Sequence, residues 1–175
     1  MSRPLLIVCL FLAVLGGGCA GPALQPKPRL LRQANVLPLA LNDSFSFRKT
    51  RLFLHDRILE KKKTASHMIS FERERMGFGA VTNEENAAKE GHYFDFWWRA
   101  ERRANVTVRL EYQQQNLGAY VQAQEVDVPN ACGTIETKFS VIGDRYHQDG
   151  RVISWRALLI ENGKVVALTQ SFLWD

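Results

Sequence analysis

The sequence is poor in cysteine, with three in 175 residues. Cys9 lies inside an apolar run near the N-terminus and Cys19 follows that run, which leaves Cys132 alone in the rest of the chain. A framework of paired cysteines within that part is therefore excluded. Turn-forming residues surround Cys132, and we expect an inert, half-buried thiol there. A lone nucleophile and a bridge to another chain are the alternatives.

The sequence also lacks the common catalytic signatures. It has no Gly-x-Ser-x-Gly elbow, no phosphate-binding glycine loop and no His-Glu-x-x-His motif. Its four histidines do not have the spacing of metal ligands: His55, His67, His92 and His147. We therefore expect no cofactor, no metal and no enzymatic activity. A hydrolase with a scattered site stays open, because carboxylates are present: Glu72, Glu74 and Asp95.

A strong excess of one charge is absent as well. The chain has 23 basic and 18 acidic residues, a net charge of +5 that is spread along its length. This argues against a nucleic-acid partner, which would require a concentrated basic surface. The first acidic residue is Asp43, so Lys27, Arg29 and Arg32 have no acidic neighbour in sequence. We expect them to belong to a solvated tether, or to lie against an anionic bilayer.

The one long apolar run is too short to span a bilayer by itself. Residues 5–15 are continuously apolar after a basic start at Arg3, whereas a spanning helix needs roughly 20 apolar residues. Gly16, Gly17 and Gly18 follow, and Pro22 comes soon after; both residue types disfavour helix propagation. This is the pattern of an N-terminal export signal.

The junction Gly18-Cys19 resembles the signal of a bacterial lipoprotein, in which a small residue precedes the cysteine that becomes lipidated. The pattern departs from that family at Gly16, where leucine is usual; Leu15 stands one residue earlier. The resemblance implies a signal peptide over 1–18 and acyl chains such as palmitate on Cys19. It also implies a lipidated tether over 19–37, and Ala20 favours the outer membrane of the bacterial envelope. Plain secretion and an uncleaved anchor are the alternatives.

Residues 38–175 have the short alternating runs of a single antiparallel β-domain. The clearest predicted strands are 92–101, 106–113, 119–128, 134–142 and 152–161, with a further strand at 68–73 and a short helix at 83–91. Asn162-Gly163 predicts a tight hairpin into a last strand at 165–174. About eight or nine strands favour a two-sheet sandwich, possibly immunoglobulin-like, with a closed β-barrel as the alternative.

The run 92–102, HYFDFWWRAER, is the most unusual stretch of the chain. In a strand, alternate side chains share a face, so the stripe that includes Phe94, Phe96 and Trp98 would enter the core. The opposite face would carry Tyr93, Asp95, Trp97 and Arg99. Trp97 between an acid and a base predicts a sugar-binding platform, or a ring covered by Arg99. The structural alternative is that Trp97 covers a sheet edge or packs under a loop.

Two further polar stretches have structural explanations of their own. Residues 143–150, GDRYHQDG, predict a polar hairpin connection that could also bind a ligand. Residues 61–63 are three lysines and predict a solvated charge run. The sequence thus leaves three functions: an anchored envelope protein that binds a protein partner or assists an assembly, a carbohydrate-binding module at Trp97, and the scattered hydrolase.

Overall fold

The computed structural model describes residues 26–56 and 79–174. They form six strands, two short helices and one 3₁₀ turn. In chain order these are β1 (Arg29–Leu31), β2 (Phe45–His55), α1 (Asn83–Lys89), β3 (Gly91–Gln114), the 3₁₀ turn (Gln115–Leu117), β4 (Val121–Ile142), α2 (Asp144–Asp149), β5 (Val152–Glu161) and β6 (Lys164–Gln170). The strands make one antiparallel sheet in the order β1-β4-β3-β5-β6, with β2 also paired to β3.

Two very long strands, β3 and β4, build both layers of the fold. Residues 91–100 of β3 pair with β2 and with 133–142 of β4, and together these form the first layer. Residues 106–114 of β3 pair with 121–128 of β4 and with β5, and β1 and β6 complete this second layer. The ladder between β3 and β4 is irregular on both sides of Ala104, where the sheet passes from one layer to the other.

The two layers face each other across one apolar core. Even-numbered residues of β3 are buried on both sides of the irregularity, from Phe94 through Trp98 to Tyr112. The Trp155 ring of the second layer lies 6.1 Å from the Phe94 ring and 5.5 Å from the Phe96 ring of the first layer. The predicted mainly β, antiparallel, sandwich-like architecture is confirmed. The layers belong to one continuous sheet, and the described strands do not close it into a barrel.

Several predicted elements merge or end differently. The predicted strands 92–101 and 106–113 are one strand, β3, and 119–128 and 134–142 are likewise one strand, β4. The predicted helix near 83–91 is α1, which begins with a capping box between Thr82 and Glu85. The prediction of a simple hairpin connection over 143–150 is wrong, because this segment forms the helix α2 between two glycines with positive φ. The predicted strand 68–73 and the lysine run 61–63 lie outside the described residues.

The C-terminal hairpin forms as the sequence predicts. Asn162 and Gly163 have φ of 50° and 72°, the left-handed pair that a type I′ turn requires. The last strand is shorter than predicted, because β6 ends at Gln170. The chain then turns, and the Trp174 ring is buried with the Arg156 guanidinium 4.9 Å from its centre.

The segment before β2 is part of the folded domain. Arg29–Leu31 pairs with β4 as β1, and the Asn35 carbonyl accepts a hydrogen bond of 2.8 Å from Arg109 Nη1. Leu37 packs against apolar side chains of β5 and β6, and Leu39 bridges to Val165. The expectation of a free tether over 19–37 therefore does not hold where the chain forms β1 and its contacts, because this segment supplies apolar and polar cover for the second layer.

Candidate functional site

The predicted platform residues lie on the outer face of the first layer. Trp97 is half-buried, and it faces Lys49 on β2 and Glu136 on β4 in the strand register. The Lys49 ammonium lies 5.0 Å from the centre of the Trp97 ring, and the Arg51 guanidinium lies 5.7 Å from it. Both distances are in the cation–π range. The cations that cover Trp97 thus come from β2, whereas the sequence pointed to Arg99.

The polar neighbours of Trp97 differ in how far they are already hydrogen-bonded within the protein. Asp95 is buried and accepts a hydrogen bond of 3.0 Å from Arg51 Nε. The Tyr93 hydroxyl donates to the Lys89 carbonyl across 2.6 Å, and burial raises the pKa of this tyrosine. Arg99 is exposed. The alternation predicted from the sequence therefore places all four side chains on one face, with Asp95 and Tyr93 already engaged in bonds within the protein.

A chain of alternating charges crosses the outer face of the second layer. Arg29 Nη2 donates to Glu125 across 2.9 Å, and Arg109 Nε donates to the same carboxylate across 2.7 Å. Arg109 also lies 3.4 Å from Glu111, which accepts a hydrogen bond of 2.6 Å from Arg156 Nε. These five residues come from four neighbouring strands. Arg29, which has no acidic neighbour in sequence, is thus paired by the fold.

A second cluster of polar side chains lies at the end of the sandwich that carries α2. The Tyr146 hydroxyl donates to Asp56 Oδ2 across 2.7 Å, and Arg151 Nη2 donates to the same oxygen across 3.3 Å. The His92 ring lies 5.9 Å from the Tyr146 ring and 6.1 Å from the Phe94 ring. Among the described residues, no hydrogen-bond partner reaches the buried Nε2 of His92.

The surroundings of His92 and Tyr146 shift the pKa values of both side chains. Burial, with a smaller contribution from the nearby Arg151, lowers the pKa of His92 to about 4. Burial and the hydrogen bond to Asp56 raise the pKa of Tyr146 to about 12. His92 is therefore neutral and a weak base near pH 7, and Tyr146 keeps its proton. A general acid or base works best with a pKa near the operating pH, so this pair is poorly suited to proton transfer.

An apolar groove opens along β4, on both sides of its bend between the layers. Its volume is about 670 Å³, which is within the range of small-molecule pockets. Val126, Val128 and Ile135 continue the packed core into it. We call it the β4 groove, and its lining residues are Pro26, Val126, Asp127, Val128, Pro129, Thr134, Ile135, Glu136, Thr137 and Lys138.

Sequence reasoning missed the β4 groove and the charge chain. A signal for the groove was present in Pro129, Asn130 and Gly133, which interrupt two apolar runs and were interpreted as a turn. Asn130 and Gly133 have φ of 52° and 78°, and the strand bends at this point without ending. The charge chain had no local signal, because its members are brought together by strand register alone.

Of the two cysteines discussed from the sequence, only Cys132 lies among the described residues. Cys19 lies outside the described residues. Cys132 is a free thiol on the bend of β4 and is exposed, so the expectation of a half-buried thiol is wrong. The bend turns its side chain outward, whereas the neighbouring Ala131 enters the core.

Two features are absent from residues 26–56 and 79–174. No cluster of three or more His, Cys, Asp or Glu side chains in this part of the chain is arranged to hold a metal ion. None of its helices has the length and apolar character that crossing a bilayer requires. In comparisons with known proteins, no family model, no curated protein and no solved structure matches this chain.

Proposed function

We propose that the chain is a lipoprotein of the bacterial cell envelope whose β-domain binds a partner at the membrane surface. The observation that carries this proposal is the junction Gly18-Cys19 after the apolar run 5–15, with Cys19 placed shortly before β1 in the sequence. Arg29 is ten positions after Cys19, and Arg29 is already part of the sheet. Since extended chain spans at most about 3.5 Å per residue, β1 would stand within about 35 Å of an acylated Cys19.

The anchor itself is proposed from the lipoprotein-like junction Gly18-Cys19 after the apolar run 5–15. A single acyl chain holds a protein at a membrane only reversibly, whereas two or more chains give firm retention. Acylation of Cys19 with several chains would therefore keep the domain on one membrane. Ala20 favours the outer membrane, by the same resemblance.

Binding is favoured over catalysis because the conspicuous charged groups of residues 26–56 and 79–174 satisfy one another; Glu72 and Glu74 lie outside the described residues. Asp95 is bonded to Arg51, Asp56 to Tyr146 and Arg151, and Glu125 to two arginines. Such groups stabilise the fold and are not poised to attack a substrate. We infer that the partner is an envelope protein or an envelope component held in an assembly.

Intact mass spectrometry of the mature protein tests the anchor. We expect the mass of residues 19–175 plus a diacylglyceryl group and an N-linked acyl chain. A Cys19→Ser variant serves as the matched control, and it should remain unacylated and fractionate away from membranes. A wild-type protein with a bare Cys19 thiol, or with residues 1–18 still attached, would contradict the proposal.

Crosslinking in intact envelopes tests the partner. A crosslinker attached at exposed Cys132 should capture a reproducible envelope component in the anchored protein. A Cys132→Ser variant controls for attachment elsewhere. Recovery of uncrosslinked monomer alone, over crosslinkers of several lengths, would contradict a stable partner near this face.

A further inference from the structure

We propose that the β4 groove holds one acyl chain of an anionic phospholipid drawn from the membrane in which Cys19 is anchored. The inference rests on the proposed anchoring for its source of lipid. The occupant is a single aliphatic chain with its phosphate outside the groove.

The groove has the size and the lining that an aliphatic chain needs. Its floor is made by Val126, Val128 and Ile135, which pack against the core of the sandwich. Thr137, also in the lining, has its hydroxyl oxygen occupied by a hydrogen bond of 3.0 Å from Trp98 Nε1. The floor is therefore apolar in effect, and about 670 Å³ is room for an extended ligand of small-molecule size.

The position of the groove relative to the anchor selects a membrane lipid as the occupant. Pro26 lines the groove and is seven positions after Cys19. Seven extended residue steps span at most about 25 Å. An acylated Cys19 thus holds the mouth of the groove within reach of the bilayer surface, where the lipid concentration is high. A soluble ligand gains nothing from this placement.

One cation next to the lining residue Pro26 is left for a phosphate. The two carboxylates of the lining already form partly exposed ion pairs: Asp127 lies 3.5 Å from Arg29, and Glu136 lies 3.3 Å from Lys138. Lys27 follows Pro26 in the chain and is exposed. Within the described part of the chain, no carboxylate forms an ion pair with Lys27. Its ammonium group is the cation that we assign to the lipid phosphate.

Native mass spectrometry tests the proposal on the mature protein in detergent, titrated with phosphatidylglycerol that has 16-carbon chains. We expect one phospholipid adduct per protein, and weaker adducts with phosphatidylcholine. Val128→Phe fills the groove, and Ile153→Phe places the same aromatic ring at an exposed site on β5. Adduct occupancy should fall about tenfold in Val128→Phe, which reflects lost pocket volume, and stay unchanged in Ile153→Phe.

Further variants keep the test decisive if Val128→Phe is poorly folded. Ile135→Phe fills the same groove from the other side of the bend. Lys27→Gln removes the charge of an exposed side chain and should bring phosphatidylglycerol and phosphatidylcholine to equal occupancy. Equal adducts in wild type and both groove variants would overturn the proposal, and so would the absence of any adduct in the wild type. A polypeptide in place of the lipid would overturn it too.

The same spectra separate this inference from the proposed function. The covalent mass at Cys19 reports acylation, and the non-covalent adduct reports the groove. A bare Cys19 with a normal phospholipid adduct would remove the proposed anchor and leave the groove as a lipid site. An acylated Cys19 with no phospholipid adduct would keep the proposed anchor and remove the groove as a lipid site.

Discussion

Arg109 donates a hydrogen bond from its Nε to a carboxylate oxygen of Glu125 across 2.7 Å, and each side chain keeps only 7% of its surface exposed. Arg109 also reaches Glu111 and the Asn35 carbonyl. One guanidinium therefore joins β3 to β4 and to the N-terminal segment that covers them. Removing this guanidinium would leave the buried negative charges of Glu125 and Glu111 with fewer positive partners. Removing one partner of a buried ion pair destabilises a protein strongly, because the remaining charge stays buried.

We expect Arg109→Ala to lower the free energy of unfolding by about 1–3 kcal/mol, because Glu125 and Glu111 each keep one arginine partner. Urea denaturation followed by fluorescence measures this. Arg103→Ala is the control, because Arg103 on the same strand is exposed and forms no ion pair with the described residues, and exposed charges contribute little. Equal losses in the two variants would contradict the role given to the buried chain of charges.

Acid should destabilise the domain through His92. Its pKa is about 4 in the folded protein and about 6.5 when unfolded, because the buried ring accepts a proton reluctantly. The unfolded chain therefore binds the proton first as the pH falls. Between about pH 6.5 and pH 4 this group removes stability, approaching about 3 kcal/mol below pH 4.

His92→Phe tests this pH dependence, since phenylalanine fits among the rings of Phe94 and Tyr146 and does not titrate. The difference in unfolding free energy between the variant and the wild type should grow as the pH falls from 7 to 4. His147→Phe is the comparison on the exposed side of α2. A constant difference between wild type and His92→Phe over that range would show that His92 does not carry the acid sensitivity.

We expect the segment after β6 to contribute to stability mainly through Trp174. Trp174 is 8% exposed and lies under the Arg156 guanidinium, whereas Phe172 is 99% exposed. Trp174→Ala should cost about 3 kcal/mol, because it removes a large buried side chain. Phe172→Ala, two residues away, should leave the midpoint of thermal unfolding unchanged. A similar loss in both variants would indicate that the C-terminal segment acts as a whole.

The carbohydrate hypothesis depends on access to the Trp97 ring. Lys49 and Arg51 compete with a sugar for its π-face, so we expect neutral envelope glycans to leave the tryptophan fluorescence unchanged. A saturable change that disappears in Trp97→Ala and persists in Trp174→Phe would contradict this expectation and favour a glycan site. Lys49→Ala should then strengthen the response, because it uncovers the ring.

Local patterns predicted the strands and their faces well. The alternation around Phe94 and Trp98 sets which side chains enter the core, and Asn162-Gly163 sets the last hairpin, because both signals depend only on neighbouring residues. The length of β3 was not predictable in this way. The polar stretch around Arg103 and Asn105 has the composition of a loop, and within it only Ala104 has a register partner on β4, so the strand continues because of the regular pairing on either side.

The candidate site was less predictable than the fold. Which cations cover Trp97 depends on the register of β2, and Lys49 is far from Trp97 in sequence. Burial of Arg109 depends on cover from the segment around Asn35, which has no periodic pattern of its own. The β4 groove arises from a bend within a strand, and Pro129 alone does not distinguish a bend from a turn.

The shared strands have a consequence for how the molecule comes apart. Since β3 and β4 each run through both layers, neither layer is a separable subdomain, and strain at one end is transmitted along a continuous backbone to the other. The domain should lose its structure in a single all-or-none step, with hydrogen-exchange protection in 91–100 and 106–114 disappearing together. Half-folded species, which expose sheet edges and invite aggregation, would then be rare.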